Sequence, residues 1–342
     1  MQAAKKVGKQ TIKFTQPPCI ISTHTVVGPK EGRGPLGKFF DYTIPDNLWG
    51  EQSFEKCEQK MLQEALEQAL QKANLSPQQV DYLLAGDLLN QIICANYTAR
   101  NLGIPFLGLY GACSTMAEAL ILGAMLIDGG YANYVLGGAS SHYDTAERQY
   151  RYPTEQGVQR PPTAQWTVTG AGGFLLAHPS LAPAGPGLKV TFATLGRVID
   201  MAIADVNNMG AAMAPAAVDT IIQHFKDTGR SPVDYQLIIT GDLGSLGKTL
   251  CLNMLEKAGY DVEKIYTDCG VLIYDPSQDT HCGGSGCGCS AVVMAAYVFR
   301  RMQEGAYRRV LFAGTGALMS PTSVWQGETI PGIAHAVAIE FF

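Results

Sequence analysis

Apolar positions along the chain follow two alternating rhythms. Phe54, Cys57, Met61, Leu62, Ala65, Leu66, Ala69 and Leu70 recur three or four residues apart, which predicts a helix with one buried face. Short continuous apolar runs such as Leu83-Leu84-Ala85 and Val135-Leu136 then read as strands buried on both faces. Between them lies Phe106–Asp128, whose first residues predict a short buried strand. From Ser114 onward, Met116, Ala119, Leu120, Leu122, Gly123, Leu126 and Ile127 return to helical spacing. Cys113 therefore falls where a strand turns into a helix.

This helix–strand unit occurs twice. Val80-Asp-Tyr-Leu-Leu-Ala-Gly-Asp-Leu88 is echoed by Val233-Asp-Tyr-Gln-Leu-Ile-Ile-Thr-Gly-Asp-Leu243. A helix and a Ser-Pro pair precede each copy: Ser76-Pro77 in the first, and Ser231-Pro232 after a helix predicted over 214–225 in the second. Cys113-Ser114 opens a helix ending near Gly129-Gly130, and Cys289-Ser290 opens one ending near Gly305. A buried strand breaking into small residues follows each, in 131–139 and 306–316. Alternating helices and apolar strands build α/β layers with sheets covered on both faces. Two duplicated halves, 1–180 and 181–342, sharing a central helical layer would give a five-layer αβαβα fold. The Pro/Gly-rich stretch 181–188 marks their junction, and 148–168 reads as a long loop able to cover a pocket or reach a second subunit.

Composition fits large buried sheets: 46% hydrophobic, 16% charged, with 38 glycines in 342 residues. The formal net charge of −5 and the lack of a basic stripe give no support to nucleic-acid binding. Lys5, Lys6, Lys9 and Lys13 read as a solvated basic tail. No secretory signal or membrane-length apolar run is recognisable, so a soluble chain is expected. Nine cysteines, an odd number in a well-cored chain, indicate thiols rather than a disulfide framework.

Cys113 carries the chemistry. Backbone N–H groups at a helix N-terminus favour a thiolate or a bound anion, and the Cys113–Thr115 amides could receive a carboxylate. His281 lies in Thr280-His-Cys-Gly-Gly-Ser-Gly-Cys-Gly-Cys-Ser290 and is its expected partner. Together they define either a nucleophile with its base or a binding pocket. Cys282, Cys287 and Cys289 beside His281 have poor spacing for a tetrahedral metal, so neither metal nor cofactor is expected. Neither Gly283-Gly-Ser-Gly286 nor Gly241-Asp-Leu-Gly-Ser-Leu-Gly-Lys248 completes a phosphate-loop motif.

A duplicated α/β unit with a cysteine opening its central helix resembles the thiolase superfamily, which includes ketoacyl synthases. That resemblance implies a thiolase-like fold, with His281 matching one family histidine and acyl transfer through Cys113 as one possible activity. Where condensing enzymes carry a second histidine, this chain has Thr240-Gly-Asp242. A carboxylate there opposes a developing oxyanion, so binding is favoured over condensation.

Longer motifs narrow the likeness: Tyr110-Gly-Ala-Cys-Ser-Thr-Met-Ala-Glu118, Gly137–His142, Arg148–Pro153, Gln159–Trp166 and Ser320–Gly327. They resemble the stage V sporulation protein AD family of spore-forming bacteria over essentially the whole chain. That resemblance implies binding of dipicolinate (pyridine-2,6-dicarboxylate), alone or as its calcium chelate, during uptake into the developing spore. It also implies membrane-embedded partners of the same operon and a peripheral place at the spore inner membrane, while the thiolase-like resemblance implies a homodimer paired through the edge of the first-half sheet. A planar dianion calls for donors to two carboxylates and flat walls for its ring. The expected binding residues are Cys113, Ser114, Thr115, Asp242, His281, Ser320 and Ser323. Arg151 and Arg160 head the candidate cations, followed by Arg148 and Lys248, while Tyr110, Tyr152 and Trp166 are candidate ring contacts.

Overall fold

The computed structural model describes residues 5–150 and 160–342. The first half supplies strands β1 (Cys19–Val27), β2 (Tyr82–Gly86), β3 (Phe106–Gly108), β4 (Tyr134–Ser141) and β5 (Gly170–Ala177). The second supplies β6 (Leu188–Thr194), β7 (Leu237–Thr240), β8 (Tyr266–Asp268), β9 (Arg309–Ala317) and β10 (Gly332–Phe341). Their spatial orders match: β1-β5-β4-β2-β3 and β6-β10-β9-β7-β8. The parallel and antiparallel pairings coincide position by position. This is the duplication that the repeat predicts. β1 and β6 also pair, Leu188 with Ile20 and Lys189 with Cys19, so the two sheets join at one edge into a continuous sheet.

Helices α1 (Phe54–Lys72) and α2 (Ile93–Leu102) cover the outer face of the first sheet. Helices α5 (Met209–Thr228) and α6 (Gly244–Lys257) cover that of the second. Helix α3 (Thr115–Asp128) packs on strands of both halves. Beside it lies α7 (Cys287–Val292), which runs through a π-helical segment, Val293–Val298, into Phe299–Gln303. These two form the middle layer, and the fold is the five-layer thiolase-like arrangement.

The local signals act as their chemistry requires. Ser53 caps α1 by accepting from the Lys56 N–H, and the eight predicted apolar positions of α1 face inward except half-buried Phe54. Ser76 and Ser231 each form a reciprocal capping box, with Gln79 and Asp234, at the entry to β2 and β7. Small residues permit the close layering. A Cβ at Gly172 would lie 2.6 Å from the Ala291 backbone, and one at Gly314 would lie 2.6 Å from the Ala117 Cβ.

Several expectations need correction. β3 is an exposed edge strand rather than a buried one, with Leu107 half accessible. The second-copy helix is longer than 214–225, starting at Met209. The loop region beginning at 148 opens with the end of a helix, α4 (Tyr143–Tyr150), and contains a two-residue strand, Trp166–Thr167, paired with Gly284–Ser285. The N-terminal lysines belong to a hairpin, Lys6–Val7 with Thr11–Lys13, which pairs with β6 instead of trailing in solvent. No described helix is long and apolar enough to cross a membrane.

Candidate functional site

Cys113 stands on a single 3-10 turn, Ala112–Ser114, between β3 and α3. Ala112 takes a left-handed backbone, φ 49°, an uncommon conformation for a residue with a Cβ. The end of β9 presses on this turn: a Cβ at Gly316 would lie 2.6 Å from the Gly111 carbonyl oxygen. The turn thus aims Cys113 across the middle layer at the end of β7.

Asp242 meets it there. The Asp242 carboxylate, wholly buried, faces the Cys113 thiol closely enough for its charge to act on it. The same carboxylate accepts from Thr315 Oγ1 (2.8 Å), Gly286 N (2.9 Å) and Ser285 Oγ (3.0 Å). Gln165 fixes the backbone, donating from Nε2 to the carbonyl oxygens of Asp242 (2.7 Å) and Gly284 (2.9 Å). Burial pushes the Asp242 carboxyl above the usual range, while its donors pull it back. Asp268, behind it, accepts from Thr240 Oγ1, Leu243 N and Gly244 N, and burial raises it to about 7.

Burial, then the Asp242 and Cys287 charges, push the Cys113 thiol well above its ordinary value. At neutral pH it is a protonated thiol. This is the reverse of an activated nucleophile.

The predicted partners separate. His281 is exposed on a left-handed residue, φ 51°, with Nε2 3.8 Å from Asp279 Oδ1, and it does not line the cavity at Cys113. Asp242 takes the place expected of it. Ser114 and Thr115 are buried, and their hydroxyls donate back to Gly111 O and Ala112 O, 2.6 Å each. Their N–H groups bond to the same two carbonyls, so the 3-10 turn consumes two of the three amides expected to receive a ligand. Ser320 and Ser323 cap one another at the start of a short helix, and Ser320 also lines a groove near the cavity. Arg160 lies 4.7 Å over the Trp166 ring and binds Asp279, while Arg148 pairs with Glu55. Trp166 itself stacks on Tyr143 at 3.7 Å. Neither these residues nor Lys248 line the cavity. Arg151 and Tyr152 lie outside the described residues.

The cavity at Cys113 is narrow, about 60 Å³. Ala146, Glu147 and Tyr150 of α4 wall it on one side, and Val206, Met209 and Met319 on another. It shares Leu88, Ala112, Tyr150 and Met319 with a groove of about 550 Å³, where Tyr110 and Trp325 stand exposed. Among the described residues, no lysine or arginine lines either space. Sequence reasoning missed Ser285, Thr315 and the α4 wall. The run of small residues Gly314-Thr-Gly316 closing β9 was the available signal for Thr315.

The duplicated layers and the cysteine turn define a thiolase-like protein, here with a carboxylate facing the cysteine. Solved structures of that fold bear this out: a Xanthomonas campestris OleA variant matches with TM-score 0.64 and 12% identity, covering 96% of this chain and 99% of that one. The 3-oxoacyl-[acyl-carrier-protein] synthase III of Aquifex aeolicus gives 0.58 and 14%, covering 94% and 99%. The chain belongs to the stage V sporulation protein AD family, whose signature spans residues 8–340. It is 49% identical to the stage V sporulation protein AD of Bacillus subtilis (strain 168) over 337 residues, 98% of each chain.

Proposed function

We propose that this chain binds dipicolinate at the Cys113 cavity and its adjoining groove, and serves dipicolinate uptake into the developing spore without catalysing acyl transfer. The observation that carries the reading is the buried Asp242 carboxylate facing the Cys113 thiol: an anion at that point suppresses a thiolate and opposes an oxyanion. Family membership supplies the sporulation context. Tyr110, Tyr150 and Trp325 offer flat surfaces for a pyridine ring at the mouth, outside the narrow inner cavity. With no described cation in the lining of either space, the calcium chelate suits the site better than the free dianion. The chain works as a homodimer joined along β3, peripherally at the spore inner membrane, with membrane-embedded partners of its operon.

Calorimetry of the full chain with pyridine-2,6-dicarboxylate, with and without calcium, against the 2,4- and 3,5-isomers tests the ligand. Selective heat for the 2,6-isomer, larger with calcium, is expected. Equal response to all isomers overturns the reading, and an acyl-enzyme at Cys113 by mass spectrometry replaces it with acyl transfer.

A further inference from the structure

The N-terminal hairpin encloses a second cavity, far from the first. It has a volume of about 580 Å³ and sits beside Met125 and Asp128 at the C-terminal end of α3, whereas Cys113 precedes the other end. Fourteen residues of helix separate them by about 20 Å. Ile12, Phe14, Met125 and Leu195 form an apolar floor, and Met125 is 38% exposed. Lys5, Lys6, Lys9 and Arg197 surround it.

The charge there runs against the chain. The whole molecule carries −5, yet this cavity gathers four basic side chains and one carboxylate. That carboxylate, Asp128, is taken by Lys5 Nζ at 3.0 Å, Thr15 Oγ1 at 3.0 Å and Gln16 N at 2.8 Å. Arg197 is held by Asp219. Lys6 and Lys9 are exposed and carry no ion pair among the described residues. An apolar concavity of ligand size with uncompensated ammonium groups at its rim matches a molecule with an apolar tail and an acidic head.

We propose that this cavity is a second binding site, for an anionic amphiphile whose acyl chain lies on Phe14 and Met125 and whose acidic head meets Lys6 and Lys9. Neither the Cys113 cavity nor its ligand enters the argument.

Full-length protein with ¹³C-methyl methionine is titrated with decanoate and with 1-decanol, and its co-sedimentation with phosphatidylglycerol and phosphatidylcholine vesicles is measured. Decanoate is expected to shift the Met125 methyl signal, and K6E/K9E to weaken binding at least about tenfold, each lysine near an anionic head being worth roughly fivefold. M125E, at a half-exposed position, is expected to lose acyl binding while keeping the fold. Decanoate binding without vesicle binding assigns a free acid. Phosphatidylglycerol binding that K6E/K9E abolishes assigns a membrane lipid, and both support the site. Decanol binding as tightly as decanoate, undiminished binding by folded K6E/K9E, competition by an acidic peptide as effective as decanoate, or no response to any probe overturns it.

Discussion

Replacing Asp242 by asparagine isolates the contact on which the functional reading turns. The fold should tolerate it. Asparagine can turn its carbonyl oxygen to Ser285 and Gly286 and its amide to Thr315 Oγ1, which already accepts from the Asp242 N–H. Weaker neutral hydrogen bonds cost about 1–3 kcal/mol, and removing a buried charge returns a similar amount, so stability should move little. The thiol should move much more. Unit charges about 4 Å apart at an effective dielectric near 20 interact by about 4 kcal/mol, which is an upper figure for the repulsion of the Cys113 thiolate that disappears. Burial of Cys113 remains, so at least about a tenfold rise in thiolate at fixed pH is the conservative expectation.

Iodoacetamide trapping between pH 7.5 and 9.5, read on the tryptic peptide containing Cys113, measures it. The wild-type rate should still climb at the highest pH, and D242N should react at least about tenfold faster at pH 8. Equal rates within twofold, with an intact fold, would mean that Asp242 is already protonated or does not control the thiol. Asp242 would then not be what keeps Cys113 from acting as a nucleophile.

Other expectations follow from separate parts of the fold. Burial and the Asp87 charge raise the Glu58 carboxyl to about 8, above its unfolded value, so stability is fully present at acid pH and is lost as pH rises toward 8. E58Q should flatten that loss, which is on the order of a few kcal/mol, when urea midpoints at pH 5 and pH 8 are compared. G316A pushes a Cβ into the Gly111 carbonyl and should destabilise the Cys113 turn by about 1–3 kcal/mol, weakening dipicolinate binding more than it lowers Tm. S76A and S231A should each cost about 1 kcal/mol in chemical denaturation, because both remove the same capping box. L107E on the exposed edge strand β3 should convert a homodimer to monomer in sedimentation equilibrium, and an unchanged dimer places the interface elsewhere.

Much of the architecture was legible because duplication writes each local signal twice. The Ser-Pro caps, the apolar strands ending in Gly-Asp-Leu and the helices opening on cysteine all recur, and each recurrence maps onto an equivalent strand or helix. The site was less legible because its partners come from loops whose direction no periodicity encodes. Positive φ angles at His281, Gly283 and Gly286 turn the Gly-rich segment so that Ser285 and the Gly286 N–H reach Asp242 while His281 faces outward. Residue type alone favoured the histidine.

The repeat also aligned Cys289 with Cys113, yet the electrostatics single out Cys287. Burial and then the Asp87 carboxylate raise Cys287, as burial and then Asp242 raise Cys113, and Asp87 closes the Gly-Asp-Leu motif of the first half as Asp242 closes that of the second. Each half therefore sets a carboxylate at the end of its second strand against a cysteine opening the other half's central helix. The two pairs differ in access: Cys287 donates to the Ala112 carbonyl at 3.0 Å and is fully buried, whereas Cys113 reaches a cavity. Cysteine and carboxylate recur together at Cys287, which lines neither the cavity nor the groove, so the pairing belongs to the duplicated fold rather than to ligand binding. Burial together with Asp242 thus keeps Cys113 protonated as burial together with Asp87 keeps Cys287 protonated, and ligand selectivity has to come from the α4 wall and the groove.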